Sequence, residues 1–301
     1  MISMESTPNL NTRVLRYFVT LARAGTYTRA AEMLHVATPS LSQQIAKLEH
    51  DVGVKLVERD HRGARLTEAG TEFLPLAINL LAVHDQAIGI VRRHRRAAQH
   101  RIRIGFFASV AGPRTHEILD LLRASVPGIS IELVQVAWGE QVTAVTDGRV
   151  DVVFARPPLD TTHVNVFPVF TEKRVLAMSA NHRLAAKDEL TIADLAGVVQ
   201  VDTDNVPEDW RKWWSVDPRP DGTPVIYGPM VHGVEEMLEV VATSDAVAVT
   251  AESLVTAFPR KDIVYRPIVD IEPSQMVLVT PMEERSTISA LIHAAQMTSR
   301  P

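Results

Sequence analysis

Cysteine is absent from the sequence. Without thiols the chain has neither a disulfide framework nor a thiolate nucleophile, which fits a reducing cytoplasm. No apolar run approaches the roughly 18 residues that a membrane helix needs. The start, MISMESTPNLNTR, lacks an apolar segment preceded by basic residues, so nothing in it indicates export. We therefore expect a cytoplasmic protein without a membrane partner.

Signature motifs of several enzyme classes are also missing. The sequence contains no G-x-S-x-G, H-E-x-x-H, G-x-x-x-x-G-K-[ST] or G-x-G-x-x-G, and its 11 histidines are scattered without metal-ligand spacing. No arrangement of residues pairs a nucleophile with a base. We therefore expect no enzymatic activity, no metal and no cofactor.

Charge is distributed unevenly along the chain. The formal net charge of -5 combines +7 over residues 13–103 with -11 over residues 104–301, and Glu5 supplies the remainder. A basic front joined to an acidic back indicates one domain that meets a polyanion and another that does not. At 301 residues the chain is long enough for two or more domains.

Three short helices are predicted between residues 13 and 53. The first covers 15–25 and ends at Gly25, and the second follows a cap at Thr26 or Thr28. The third begins with Thr38 as the cap and Pro39 as the first helical residue. Only about four residues separate the last two helices, a spacing typical of a helix-turn-helix.

The third helix carries two stripes at helical spacing. Gln side chains on the polar stripe can pair with adenine edges, and Ser and Lys can reach bases and phosphates. A polar face that merely meets solvent is the alternative, and for an isolated helix it is the commoner case. The preceding helix, the tight turn and the basic surroundings favour DNA recognition. The apolar stripe consists of Leu41, Ile45, Leu48 and Val52, and the polar stripe of Ser40, Gln43, Gln44 and Lys47.

A basic hairpin is predicted after Gly53. Residues 55–70 are read as a strand, a turn at 60–63 and a returning strand, with Arg59, Arg62 and Arg65 on or beside the turn. A wing of this kind can put Arg into the minor groove or onto phosphates, a salt-sensitive contribution that does not depend on sequence.

A long helix is predicted over residues 71–98. Its apolar residues alternate three and four apart, forming a seam that usually packs on a partner helix. We interpret the basic run 92–96 at its end as a solvated face or a hinge, with a phosphate contact as the alternative. The seam consists of Leu74, Ala77, Leu81, His84, Ile88 and Val91.

From residue 101 onwards, strands alternate with helices. This order predicts a parallel, doubly wound α/β sheet. A second such unit is predicted from about 176 to 269. A strand at 276–280 and a last helix over 286–297 are expected to return to the first unit.

Candidate ligand contacts lie where strands of this sheet end, because open α/β sheets bind ligands beyond the carboxyl ends of their strands. Ser109 follows the first strand, Trp138 and Gln141 open the helix after the second, and Arg156 ends the strand VDVVFA. A serine at a helix start and an arginine suit a carboxylate. Trp138 either narrows the cleft or stacks on a planar ligand.

Structural roles are the alternatives for two of these residues. Ser109 is explained equally well as a helix cap. Arg156 is also explained by an ion pair with Asp151 or Asp160, because a partly buried Arg is usually paired.

The stretch 15–70 resembles the N-terminal winged helix-turn-helix of LysR-type transcriptional regulators. The resemblance continues more weakly to the C-terminus. It rests on the paired alanines Ala30 and Ala31, Ser40-x-Ser42 leading into Ile45 and Leu48-Glu49, and the run from Gly53 through Leu56, Arg59, Leu66-Thr67 and Ala69-Gly70.

The resemblance implies an α+β multidomain protein. We expect a winged helix-turn-helix domain at 11–70, with the helix-turn-helix at 27–46, and a long dimerising linker helix at 71–98. An α/β periplasmic-binding-protein-like effector domain would occupy 100–301. Its two subdomains would cover about 100–175 with 276–301, and about 176–275.

Site residues carried over by position follow from the same resemblance. The DNA-facing positions are Thr38, Pro39, Ser40, Ser42, Gln43 and Gln44, with Arg59, Arg62 and Arg65 in the wing. The effector-contacting positions are Ser109, Trp138, Gln141 and Arg156, with Asp202 and Asp204 near the equivalent loop of the second subdomain. Two aspartates would repel a second carboxylate.

We therefore predict a ligand-responsive bacterial transcriptional regulator. Its partners would be double-stranded DNA at dyad promoter sites, a small effector that the residues suggest is a planar carboxylate, and further copies of the chain as a dimer of dimers. RNA polymerase stays open as a further partner. The alternative is a metabolite-binding module or an enzyme whose front domain serves only for assembly.

Overall fold

A computed structural model describes residues 10–60, 63–108, 111–283 and 285–298, without the side chains of residues 59 and 60. The chain folds into two compact units, Met1–Ile88 and Gly89–Pro301.

The first unit is a helical domain with a two-stranded hairpin. The strands β1 and β2 pair antiparallel, and the turn between them includes residues 61 and 62, which lie outside the described part of the chain. Its elements are α1 (Thr12–Ala24), α2 (Tyr27–Met33), α3 (Thr38–Val52), β1 (Val57–Asp60), β2 (Gly63–Leu66) and α4 (Glu68–Ala98), which continues into the second unit.

Helix ends in this unit follow local sequence signals. Gly25 and Gly53 end α1 and α3 with positive φ angles of 71° and 75°, as expected of glycine caps. Thr26 caps α2 by accepting a hydrogen bond from the backbone N–H of Arg29. The prediction for Thr38 is wrong: Thr38 is already helical, and Ala37 occupies the cap position without a side-chain hydrogen bond.

The apolar stripe of α3 forms the centre of the first unit's core. Leu41, Ile45 and Leu48 are at most 3% exposed and pack with Phe18 of α1 and Leu56 after α3. The winged helix-turn-helix therefore encloses a core of its own.

The apolar seam predicted for α4 divides into a buried and an exposed part, and the exposed part includes Ile88 and Val91, which are 39% and 66% exposed. Ala77 and Leu81 are buried in the core of the first unit, so they do not form a surface for a partner helix. Leu76, Leu80 and Val83 are 60%, 47% and 62% exposed, and they recur four and three residues apart. One face of α4 thus completes the core of the first unit, and exposed apolar residues remain on the rest of its surface.

By length and composition alone, α4 is long and apolar enough to cross a membrane. Such a test is weak for a single helix, because a helix that packs in a soluble core also passes it. In α4, Ala77 is fully buried in the helix-turn-helix core.

The basic run at the end of α4 is not a solvated face throughout. Arg93 is 7% exposed and donates to the carbonyl oxygen of Val145 at 2.9 Å. Arg96 donates to both carboxylate oxygens of Asp151 and to the carbonyl oxygen of Gly148. Arg92 and Arg95 are exposed.

The second unit contains a five-stranded sheet in the order β4-β3-β5-β12-β6. Strands β3, β4 and β5 are parallel, as predicted for residues 101–155, and β12 runs antiparallel to both β5 and β6, a direction that the sequence did not predict. The predicted return of a strand near 276–280 to this sheet is confirmed. Its elements are β3 (Arg101–Phe106), α5 (Thr115–Ser125), β4 (Ser130–Gln135), α6 (Gln141–Thr146), β5 (Val152–Ala155), β6 (Val164–Glu172), β12 (Ser274–Pro281) and α10 (Ser286–Met297).

Apolar layers cover both faces of this sheet. Phe154 and Leu278 face the layer of α5 and α10, while Val153 and Val279 face the layer that contains α6. Alternate residues of each strand therefore serve opposite layers.

The remaining strands of the second unit form two smaller sheets. Strand β7 lies between β10 and β11 in an antiparallel sheet, and β8 pairs parallel with β9. This part is therefore not a second parallel sheet of the predicted kind. Its elements are β7 (Arg174–Ser179), β8 (Val199–Asp202), α7 (Glu208–Ser215), β9 (Ile226–Met230), α8 (Val234–Thr243), β10 (Ala248–Ala251), α9 (Leu254–Ala257) and β11 (Ile263–Pro267).

Candidate functional sites

Helix α3 presents a polar stripe on the surface of the first unit. Ser40, Gln43 and Lys47 are exposed at positions i, i+3 and i+7, so they lie on one face. Pro39 is exposed beside them, and Thr38, Ser42 and Gln44 are half-buried. The structure thus brings together side chains that can donate to and accept from base edges or phosphates.

Glu49 attaches the hairpin to this helix. Its side chain is 6% exposed, its Oε1 accepts from the backbone N–H groups of Leu56 and Val57 at 3.0 Å, and its Oε2 accepts from Lys55 at 2.6 Å. Gly63 brings β2 against the end of α1: a Cβ there would lie 2.4 Å from the carbonyl oxygen of Gly25. The wing is therefore fixed to the helix-turn-helix by contacts within the first unit.

The three wing arginines differ in what the structure describes. Arg65 is exposed on β2. Arg59 lies on β1, but its side chain is outside the described part, as is the whole of Arg62.

In the second unit, Arg156 follows β5 and is 5% exposed. Its Nη2 donates to Glu172 at the end of β6 and to the hydroxyl of Ser253, while Glu172 also accepts from the backbone N–H of Ser253. Arg156 is therefore paired with Glu172. The two partners considered from the sequence, Asp151 and Asp160, do not pair with it, and Asp151 pairs with Arg96 instead.

Trp138 forms one end of a chain of indole rings. Its ring lies 6.0 Å from that of Trp210, Trp210 lies 5.6 Å from Trp214, and Trp213 meets Trp214 edge-on at 5.1 Å. Trp138 is 9% exposed, and a Cβ on the next residue, Gly139, would lie 2.1 Å from the carbonyl oxygen of Asn205. The loop that carries Trp138 therefore packs closely against Asn205, and whether Trp138 narrows the cleft or stacks on a ligand stays an open prediction.

Two cavities adjoin this ring chain. One of about 50 Å³ contains Arg156 and Ser253 in its wall, and one of about 60 Å³ contains Asp202 and Tyr227. Both are lined by Trp138, Trp210 and Trp214. Among the predicted ligand residues, Trp138, Arg156 and Asp202 are the ones that line a cavity here.

The other predicted ligand residues are placed differently. Gln141 is 6% exposed and begins α6. Asp202 accepts from the guanidinium of Arg211 at 2.8 Å, so it would not repel a carboxylate as an isolated charge would. The side chain of Asp204 is 67% exposed, 3.6 Å from the ring of His232. Ser109 lies outside the described residues.

Arg174 holds the tryptophan helix α7 against β7. It is 3% exposed, donates to the carbonyl oxygens of Trp213 and Trp214 at 2.7 Å, and lies 4.1 Å from the centre of the Trp213 ring. Burial lowers the pKa of Arg174 to about 10. The contacts order α7 and with it Trp210.

Sequence reasoning missed Glu172, Ser253 and the role of Trp210. The dense Trp content of α7 was the available signal, since three indoles in eight residues bring a large apolar surface to one place. Among the described residues, no cluster of three His, Cys, Asp or Glu side chains suits a metal ion.

Family models match both units. Residues 12–71 match the bacterial regulatory helix-turn-helix protein, lysR family, and residues 95–297 match the LysR substrate binding domain.

Relatives with known names are transcriptional regulators. The chain is 39% identical over 196 residues to the Hca operon transcriptional activator HcaR of Escherichia coli (strain K12). The aligned segment covers 64% of this chain and 65% of that protein. It is 33% identical to a probable cat1 operon transcriptional activator of Acinetobacter lwoffii over 62% of each chain. The chain therefore spans less than two thirds of these relatives' length.

Solved structures with a similar fold cover nearly the whole chain. Full-length BenM aligns with a TM-score of 0.54 at 25% identity, covering 96% of both chains. Full-length CbnR complexed with its target DNA aligns with a TM-score of 0.52 at 24% identity, covering 95% of this chain and all of that one.

Proposed function

The chain belongs to the LysR family of bacterial transcriptional regulators, and we propose that it is a ligand-responsive regulator that binds dyad DNA sites in the cytoplasm and catalyses no reaction. In this proposal, residues 11–70 bind DNA, 71–98 link and dimerise, and 100–301 bind the effector.

The exposed polar stripe of α3 carries the DNA part of the proposal. Ser40, Gln43 and Lys47 follow a tight helix-turn-helix, and an attached basic hairpin flanks them. Gln43 reads a base edge in the major groove, while Lys47 and the wing arginines contact phosphates. Thr38, Pro39, Ser42 and Gln44 complete the surface near the helix start.

The exposed stripe Leu76, Leu80 and Val83 supports a homodimer through α4. Apolar side chains at this spacing match the seam of a helix pair, and a two-fold dimer fits a dyad site with half-sites about one helical turn or a multiple apart. Two such dimers form the proposed tetramer. RNA polymerase is a further proposed partner.

The effector site is proposed at the cavities lined by Trp138, Arg156 and Asp202. Ser109, Gln141 and Asp204 stay in the proposal through the family resemblance alone. A ligand there acts only by binding the quaternary states of the oligomer unequally. The indole rings of Trp138 and Trp210 in the cavity wall support a planar effector. The carboxylate predicted from the sequence loses its main support, because Glu172 already pairs with Arg156.

Selection from genomic DNA tests the proposal. The purified full-length protein is incubated at near-physiological salt with fragmented DNA of its own organism, and the bound fragments are sequenced. We expect discrete peaks sharing a dyad. Gln43→Ala should remove these peaks, whereas Gln135→Ala, an exposed glutamine of β4, should leave them unchanged.

Salt dependence separates base reading from phosphate contact. Arg65→Ala should weaken binding to all fragments and reduce the slope of log affinity against log salt by about one phosphate contact. Arg123→Ala, an exposed arginine paired with Asp120 in the second unit, is the charge-matched control. Diffuse binding that Gln43→Ala does not alter would favour an assembly role for the front domain.

A further inference from the structure

Trp210 separates the two cavities of the effector unit. They measure about 50 and 60 Å³, and Trp210 is in the wall of both. A dry apolar cavity that accepts benzene measures about 150 Å³. Each cavity has less than half of that volume while Trp210 keeps its place.

The contacts of Trp210 are ones that another ring can replace. Its indole lies between those of Trp138 and Trp214, at 6.0 and 5.6 Å, and its Nε1 donates to the carbonyl oxygen of Arg156 at 3.2 Å. The residue is half-buried in the first turn of α7. If the indole of Trp210 turned outwards, it would no longer separate the two cavities. The ring faces of Trp138 and Trp214 would be uncovered, and the carbonyl oxygen of Arg156 would lose the donor Nε1.

Two buried donors in the cavity walls lack partners. Arg156 Nε and Trp214 Nε1 have no hydrogen-bond partner among the described residues, and the two residues are 5% and 7% exposed. Buried N–H groups are rarely left unpaired in native proteins, so these two donors are available to an acceptor on a ligand.

The charges in the cavity walls are already balanced. Glu172 neutralises Arg156, and Arg211 neutralises Asp202. An anionic ligand would add an unpaired charge beside mostly apolar side chains, which is strongly unfavourable. A neutral ligand avoids this penalty.

We propose that the effector is an uncharged aromatic compound bearing a hydroxyl group, which replaces the Trp210 indole between Trp138 and Trp214. The hydroxyl donates to the carbonyl oxygen of Arg156 that Trp210 vacates. The oxygen of the ligand accepts from Trp214 Nε1. This inference rests on the proposed function, since it names the ligand class of its effector site.

Phenol and benzoate are the probes, because they share a ring and differ in charge. Equilibrium dialysis with the full-length protein should show phenol bound more tightly than benzoate. Trp210→Ala should tighten phenol binding about tenfold, because the open state no longer has to be selected. Trp213→Phe is the matched control: Trp213 is in the wall of neither cavity, and phenylalanine keeps a ring against Arg174 and Trp214, so phenol affinity should be unchanged.

Two further variants test the same proposal with smaller changes, because each keeps an aromatic ring at its position. Trp210→Phe keeps a ring but loses the donor to Arg156, so it should tighten phenol binding even if Trp210→Ala fails to fold. Trp214→Phe removes a buried donor without removing the ring, so it should weaken phenol binding several-fold while leaving the binding of toluene, which has no acceptor, unchanged.

Tighter binding of benzoate than of phenol would overturn the charge argument. Equal phenol affinity in wild type, Trp210→Ala and Trp210→Phe would overturn the displacement of Trp210. Phenol that fails to bind while genomic fragments are still selected through Gln43 would refute this inference alone. Selection that fails while phenol binds as described would refute the DNA-binding proposal alone.

Discussion

Removing the negative charge of Asp151 is expected to destabilise the effector unit strongly. Asp151 and Arg96 have side chains 8% and 13% exposed, and Nε and Nη2 of Arg96 donate to the carboxylate at 2.8–3.1 Å. The second carboxylate oxygen also accepts from the backbone N–H of Arg103 at 2.8 Å. Asp151→Asn keeps the shape but leaves a nearly buried guanidinium without its counter-charge.

The size of this effect follows from burial. Breaking a buried ion pair by removing one partner costs about 3–5 kcal/mol. Arg96 keeps its bond to the carbonyl oxygen of Gly148, so we expect about 3 kcal/mol, at the lower end of that range. For a unit of this size, about 3 kcal/mol lowers Tm by roughly 6–12 °C.

Tryptophan fluorescence is the suitable assay. All 4 tryptophans, at positions 138, 210, 213 and 214, lie in the second unit, so denaturant unfolding followed by their emission reports on that unit alone. Asp120→Asn is the matched control, because its ion pair with Arg123 is exposed, and such pairs contribute about 0–1 kcal/mol. A loss for Asp151→Asn no greater than for Asp120→Asn would refute the reasoning.

Three further changes test other parts of the molecule. Gly70→Ala should unfold the first unit at much lower denaturant than Gly53→Ala. A Cβ at Gly70 would lie 2.0 Å from the backbone oxygen of Leu56, whereas alanine at Gly53 has only the strain of a φ angle of 75° and no atom within 4 Å of its Cβ. Equal midpoints would contradict this. Val83→Asp should shift the protein to monomers in light scattering, and an unchanged mass would exclude the α4 seam. Asp194→Asn tests linkage: hydrogen bonds from Lys187 and Thr191 lower the pKa of Asp194 to about 2, so the wild type's advantage should be full above pH of about 4 and vanish as pH falls towards 2. A constant difference across that window would refute it.

Local signals predicted the first unit and several helices well. The bounds of α10 match the predicted 286–297, and the stop at Gly53 and the buried stripe of α3 are confirmed. These features depend on glycine dihedral angles and on helical periodicity, which a sequence displays directly.

Features that depend on contacts between distant parts of the chain could not be predicted from the sequence. The direction of β12 depends on how its connection runs, and a buried strand reads the same in either direction. The burial of Ala77 and Leu81 in the first unit's own core did not follow from the helical pattern, which shows apolar residues but not the partners against which they pack. Glu172 is separated from Arg156 by sixteen positions, with no spacing rule to connect them.

Helix α6 has mechanical consequences that follow from its shortness. Trp138, three residues before it, lies in the cavity walls, and Val145 and Gly148 at its other end accept from Arg93 and Arg96. Six residues span about 9 Å. The cavity walls and the end of the linker helix are therefore joined by one short element, so any displacement of the loop at Trp138 has a direct path of contacts to Arg93 and Arg96.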